Sequence, residues 1–310
     1  MKCPICERPS HFYARHPEAD LYRCQDCGHR FSVLSAQDHA EHYERDYFER
    51  THRNWFSNPN YALFARIAKL AVEDPGVASL IDVGCGRGAF LRYLKGWRQK
   101  QLALTGIDLW ANLPEEGIEY VVGDVIATSL NRSYDVVVSL AVIEHVADIH
   151  TFADRLHGLC RPSGRVVVMT LNDNSILYGV ARALRCLGIM LPFNRLYSRH
   201  HLHHFTRRSL ALLLEHHGFV VETTLLHDAP LAAIDIPAPF SMAATALRLA
   251  VSALFATGRL TGRTYLQTVV CRRAGSHQMF RDARKDDGIG MVPLMRCRNE
   301  AEILQMNTSL

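Results

Sequence analysis

The chain has 310 residues, 48% of them hydrophobic, enough for one large core and a small second unit. Its 35 Lys and Arg against 31 Asp and Glu give a net charge of +4, compatible with an anionic partner but too weak to require nucleic acid. No run reaches the roughly eighteen uncharged apolar residues of a transmembrane helix, and Met1-Lys2-Cys3-Pro4 opens the chain without an apolar signal region, so a cytoplasmic protein is expected.

Nine cysteines in such a compartment read as metal ligands or buried thiols before disulfides. Cys3-Pro4-Ile5-Cys6 and Cys24-Gln25-Asp26-Cys27 are two C-x2-C knuckles separated by seventeen residues. Each places two thiolates on one tight turn, and four thiolates complete a tetrahedral Zn2+ shell. A segment spanning residues 1–35 is too small to hold a core without such a staple. Because Cys3, Cys6, Cys24 and Cys27 fill the shell, the expected role of the zinc is structural. The expectation is a separable module, whose deletion leaves the rest of the chain able to bind its ligand.

Residues 36–75 read as a helical linker or lid. Tyr43, Tyr47, Phe48, Trp55 and Phe56 could pack the module onto the main domain, and Tyr61 to Val72 carries a helical stripe of Leu63, Phe64, Ile67, Leu70 and Ala71. A packing role is the expectation, with a lid over a ligand pocket as the alternative.

Leu80 to Val83 reads as a buried strand, Gly84-Cys85-Gly86-Arg87-Gly88 as a turn, and Ala89 to Leu94 as the start of a helix. Strand, glycine turn and helix N-terminus form a cradle with backbone N–H groups aimed at an acceptor. Gly84-x-Gly86-x-x-Ala89 also fits a dinucleotide fingerprint. Asp82 weighs against that reading, since a carboxylate facing the turn repels a pyrophosphate but pairs with an ammonium. Leu102 to Ile107 is a second strand ending at Asp108, where a carboxylate can take two ribose hydroxyls. Tyr120 to Val125 is read as a third strand, and Tyr134 to Leu140 as an apolar central one.

This order of features resembles class I S-adenosylmethionine-dependent methyltransferases of small-molecule type, similar to those of ubiquinone biosynthesis. The residues carrying it are Asp82-x-Gly84-x-Gly86-x-Gly88, Asp108, Gly123-Asp124, and Ile143-Glu144-His145-Val146. Leu159 to Arg165, followed by Val166 to Thr170, is similar to the family's loop and fifth strand, and the likeness spans residues 76–275. It implies an α/β, Rossmann-like, doubly wound seven-stranded sheet behind the small N-terminal zinc ribbon, with residues 276–310 as a poorly ordered tail. It also implies S-adenosyl-L-methionine held by Asp82, Gly84, Gly86, Gly88, Asp108, Leu109, Asp124, Val125 and Leu140. The ribbon with Tyr43-x-x-Asp46-Tyr47-Phe48 is similar to a bacterial subgroup linked with sugar or surface-polysaccharide chemistry.

Two departures are visible. Relatives with a metal-assisted reaction carry an acid three positions before the Glu-His pair, where this chain has Ala141. The usual glycine after Pro162 is Ser163. If the acceptor needs a general base, His145 and His201 are the candidates, His201 matching the family's histidine. The run His200 to His204 also admits a metal reading. Arg182 and Arg185 are read as interrupting an apolar stretch from Ile176 to Phe193, and Ala229 to Leu260 as too broken to span a bilayer. Peripheral membrane contact, a lid or ordinary packing remain open for these segments, and oligomeric state is not indicated. Three rival readings are a ribosomal-RNA base methyltransferase with a zinc module, a non-catalytic binding protein, and a nicotinamide oxidoreductase. The mixed ribbon charges and the Glu-His pair argue against the first, so the expected partner is a small-molecule acceptor.

Overall fold

A computed structural model of the chain describes residues 1–34, 53–97, 101–234 and 242–274. The aromatic segment from Tyr43 to Phe48, the Asp235, Pro237 and Pro239 interruptions and the tail from Gly275 lie outside the described residues.

Three short strands come first: β1 (Ser10–His16), β2 (Ala19–Cys24) and β3 (Arg30–Val33). Two helices follow, α1 (Arg53–Ser57) and α2 (Tyr61–Ile67), the second running on as a π-turn from Ala68 to Val72. Asn60 caps α2 by accepting from the Leu63 amide. The expected stripe is the buried face here, with Leu63, Phe64, Ile67 and Ala71 inside and Leu70 at the surface.

The main sheet is built from β4 (Ser79–Val83), β5 (Ala103–Asp108), β6 (Ile118–Val122), β7 (Tyr134–Leu140), β8 (Cys160–Leu171), β10 (Phe219–His227) and β11 (Leu266–Arg273). Its order is β10-β11-β8-β7-β4-β5-β6, parallel from β8 to β6, with β11 antiparallel between β8 and β10. Helices α3 (Ala89–Lys95), α4 (Ile149–Leu159), α5 (Ile176–Cys186), α6 (Leu191–Leu196), α7 (Arg207–His216) and α8 (Met242–Thr261) complete the chain. Fully buried Leu80, Ile81, Val136, Val137 and Val138 fill its centre, the short apolar stretches of β4 and β7 expected of central parallel strands. The strand order switches direction once, between β4 and β7, and the five parallel strands bring their carboxyl ends to one edge, where such sheets bind ligands.

Several local readings shift. The third strand of the main sheet ends at Val122, leaving Asp124 in the following turn, where its carboxylate accepts from the Ile126 amide at 2.8 Å. The loop before the fifth strand is a bulge within β8: Tyr134 faces Cys160 and Val136 faces Arg165, so Arg161 to Gly164 loop out of register. Ser163 takes φ +63° there, the left-handed conformation that glycine adopts without strain. Arg182 does not break α5. It is buried and bonded, as described below.

The first three strands are not a free-standing unit. A two-residue strand of the main domain, β9 (His203–His204), joins them, giving a second sheet of order β1-β2-β3-β9. Arg30 faces His204 and Phe31 faces His203 across that pairing. The histidine run is therefore structural at two of its members, both buried and kept neutral: burial lowers His203 to about 4 and His204 to about 3. No helix among the described residues is long and apolar enough to cross a membrane.

Candidate functional site

The turn after β4 needs its glycines for two reasons. Gly84, Gly86 and Gly88 all take positive φ, at +71°, +52° and +72°. A Cβ at Gly84 would strike Val142 at 2.3 Å, one at Gly86 would meet Phe56 at 2.9 Å, and one at Gly88 would strike the Tyr120 hydroxyl at 2.2 Å. What crowds these positions is protein, so close packing rather than ligand approach alone explains all three. Only then does the chain enter α3, with Gly88 as its left-handed N-cap.

Above the turn lies a narrow cleft of about 100 Å³. Its floor is Asp82, Gly84 and Gly86, and its far side is Leu140, Met169 and Leu266. Its roof is Trp55, Phe56, Leu63 and Phe64 from α1 and α2. That roof is anchored: Asn58 Nδ2 donates to the Ala232 carbonyl and Asn60 Nδ2 to the Asp228 carbonyl, both at 3.1 Å, beyond the end of β10. Arg87 also stacks its guanidinium on the Phe56 ring, 5.7 Å from the centroid. The described part of residues 36–75, from Arg53, thus lies over the glycine turn.

Asp82 is 3% exposed, and its Oδ1 is buried with no hydrogen-bond partner in the structure. Burial, with the Asp108 carboxyl adding repulsion, pushes its pKa up to about 8. Asp108 is raised as well by burial, against the pull of three backbone amides, those of Gly86, Trp110 and Leu109. Gly86 N donates to its Oδ2 at 2.8 Å and Trp110 N to its Oδ1 at 3.2 Å, fixing the carboxylate beside the turn. Asn112 Nδ2 holds the turn from the other side by donating to the Gly86 carbonyl at 2.7 Å. Two carboxyls beside one glycine turn disfavour a pyrophosphate and favour a ligand with an ammonium and free hydroxyls. The orphaned Asp82 oxygen fits an amino-acid ammonium, and Asp108 fits a ribose diol.

The structure brings Asp82, Gly84, Gly86 and Leu140 to one cleft, with Asp108 bonded to its turn. Gly88 faces Tyr120, and Leu109, Asp124 and Val125 stand outside the cleft lining. His145 and His201 are brought together, ring centroids 4.9 Å apart, also outside that lining. His145 sits in a short 3-10 turn (Ile143–His145) directly after β7. Its neighbour Glu144 is 2% exposed, accepts from Thr170 Oγ1 at 2.8 Å, and is raised by burial to about 7. Ala141, where metal-dependent relatives have an acid, takes φ +58°, a strained conformation for a side-chain-bearing residue at the strand's mouth. Sequence reasoning missed Met169, Pro230 and Leu266 in the lining. Met169 and Leu266 read only as strand interior, and no local signal marks Pro230.

At the N-terminus Cys3, Cys6, Cys24 and Cys27 converge, their Sγ atoms all within 4.8 Å of one another. The Cys3–Cys27 and Cys6–Cys24 pairs are 3.6 and 3.5 Å apart. Thiolates about 2.3 Å from a central zinc define a tetrahedron with edges of roughly 3.8 Å, which this set nearly matches. The knuckle is tied to the main domain by a relay: Pro4 carbonyl accepts from His150 Nε2 at 2.6 Å, His150 Nδ1 meets His217 Nε2 at 2.8 Å, and His217 Nδ1 donates to Asp154 at 2.6 Å.

Comparison with known proteins identifies the family and the fold. The sequence profile of the methyltransferase domain family matches residues 39–224. The ubiquinone biosynthesis O-methyltransferase of Rickettsia prowazekii is 28% identical over 171 residues, 47% of this chain and 66% of that one. Its counterpart in Pseudomonas paraeruginosa is 30% identical over 164 residues, 47% of this chain and 68% of that one. This chain thus spans about two thirds of the length of these relatives. Among solved structures, the Burkholderia thailandensis 1,6-didemethyltoxoflavin-N1-methyltransferase with bound 1,6-didemethyltoxoflavin and S-adenosylhomocysteine shares the fold. It aligns with TM-score 0.50 at 14% identity, covering 86% of this chain and all of that one. The chain belongs to the methyltransferase domain family and is an S-adenosylmethionine-dependent methyltransferase.

Proposed function

We propose that this methyltransferase binds S-adenosylmethionine in the cleft over the glycine turn and transfers its methyl group to a small-molecule acceptor. The observation that carries the reading is the buried, unpartnered carboxyl of Asp82 on the cleft floor. Asp82 would take the cofactor's ammonium and Asp108 its ribose hydroxyls, with Gly84 and Gly86 forming the turn beneath it. Leu109, Asp124 and Val125 would edge the adenine, and Leu140 would close the far side. Gly88 contributes by seating α3. When bound, the cofactor supplies an electrophilic methyl on a sulfonium, so the protein's task is mainly to position the acceptor and exclude water. Trp55, Phe56, Leu63 and Phe64 do the excluding.

Acceptors with a hydroxyl also need a proton removed. His145 Nδ1 donates to the His200 carbonyl at 2.6 Å, which leaves Nε2 as the basic nitrogen, with the His201 ring beside it. His145 is therefore the proposed base and His201 its neighbour in the pair. Ala141 supports a reaction without a second, acid-held metal. The ubiquinone O-methyltransferases among the relatives support a small-molecule acceptor, and the N-terminal resemblance points to sugar or surface-polysaccharide precursors. Cys3, Cys6, Cys24 and Cys27 are proposed to hold one structural zinc, in a ribbon of residues 1–35 ahead of a helical lid and a methyltransferase domain of residues 76–275.

The test is proton release. Free Asp82 keeps its proton below about pH 8, and pairing with an ammonium ionises it. Binding of S-adenosylhomocysteine at pH 6.5 should then release close to one proton, read as a buffer-dependent heat in calorimetry. Affinity should rise with pH between about 5.5 and 7.5. Binding with no proton release would remove Asp82 from the ammonium site.

A further inference from the structure

One group of side chains has no use in this reading. Arg23 on β2 stands directly opposite Arg30 on β3, and Arg30 opposite His204 on β9. Like charges facing each other across a strand pair are unfavourable, and this row is turned toward the main domain, where Arg182 of α5 adds a third guanidinium. Among the described residues Asp173 is the one carboxylate bonded within the cluster. Both its oxygens are engaged: Oδ2 accepts from Arg30, and Oδ1 from Tyr197 Oη at 2.6 Å and Arg182 Nη1 at 3.2 Å.

The cations are not saturated. Arg30 is 2% exposed and stacks on the Tyr13 ring at 4.6 Å, yet its Nε is buried without a hydrogen-bond partner. Arg23 is half-buried, its Nε likewise buried and unpartnered, and it makes no hydrogen bond or ion pair among the described residues. Buried guanidinium N–H groups are costly to leave unpaired, and two adjacent planar forks match the oxygens of a phosphate. Half-buried Arg23 and Tyr13 leave the cluster open to solvent on their side.

Its place in the fold says which anion. Asp173 stands four residues beyond Met169 of the cleft lining, past the carboxyl end of β8 and on the ligand-binding edge of the sheet. We propose that Arg23 and Arg30, backed by Arg182, bind a phosphate group of the methyl acceptor, making the substrate a phosphorylated small molecule and the ribbon part of its binding site. The proposal rests on the cleft being the methyl-donor site.

The test uses the full chain loaded with S-adenosylhomocysteine and titrated with inorganic pyrophosphate at low salt. Loading keeps the probe from the glycine turn. Saturable binding is expected, at least tenfold weaker in Arg23→Gln, with S-adenosylhomocysteine affinity and zinc content unchanged. Should Arg23→Gln fail to fold, Arg23→Lys keeps the charge but not the fork and should bind several-fold more weakly than wild type. A chain that binds S-adenosylhomocysteine but not pyrophosphate, or variants that bind pyrophosphate as wild type does, overturns the phosphate site alone. Failure to bind S-adenosylhomocysteine overturns the donor site beneath it.

Discussion

Replacing Cys24 with serine should strip the N-terminal zinc and destabilise the whole chain, not only its first thirty-odd residues. Structural zinc in such modules is worth about 10–16 kcal/mol at neutral pH, comparable with the roughly 5–15 kcal/mol that holds an ordinary domain folded. The small sheet has few apolar residues to offset that loss, with Ile5, Ala14, Leu21 and Phe31 its chief buried ones. The damage should spread because the sheet is shared. Unfolding β3 uncovers β9, leaves the buried Asp173 without Arg30, and exposes Phe205, against which the His29 ring packs at 4.9 Å. A buried carboxylate that loses one partner is expensive. Elemental analysis should give one zinc per wild-type chain and none in Cys24→Ser, and calorimetry should show the main melting transition lowered or lost. Deletion of residues 1–35 should behave likewise, against the expectation of a detachable module. A zinc-free chain melting like wild type would contradict this coupling.

The second large effect is expected at Asp82. Asp82→Asn keeps the shape but cannot ionise, so an ammonium in the cleft would lose its counter-charge. Removing one partner of a buried charged pair costs about 3–5 kcal/mol, a loss of roughly 150-fold to several thousand-fold in affinity for S-adenosylhomocysteine. Folding stability should hold or improve, because the free protein carries an unpartnered carboxyl there at no benefit to the fold. Denaturant unfolding and ligand titration on the same preparations separate the two. Loss of stability together with unchanged affinity would mark Asp82 as structural.

Much of this was legible in the residues. Strands β4 and β7 are short apolar runs bounded by turn signals, and the glycine turn, Asp82 and Asp108 sit where a strand–turn–helix cradle needs them. Thr206 caps α7, its hydroxyl accepting from the Ser209 amide at 3.1 Å. The misses share a cause, long-range pairing. Arg182 looks like an interruption in its own segment because its partners, Asp173 and Tyr197, are set by the fold. His203 and His204 look like ligands until β9 pairs with β3. Trp55 and Phe56 look like linker packing because only the tertiary fold carries them over Gly86. Periodicity reports the face a residue presents but not what covers it.

Every role assigned to the cleft depends on the identity of the cofactor. Calorimetric titration of the full chain with S-adenosylhomocysteine and, separately, with NADH compares the two ligands that a glycine turn of this spacing could take. Saturable binding of S-adenosylhomocysteine with NADH inert is the predicted result, because the unpartnered Asp82 carboxyl on the cleft floor fits an ammonium, which NADH lacks. Tight NADH binding with S-adenosylhomocysteine inert would contradict it.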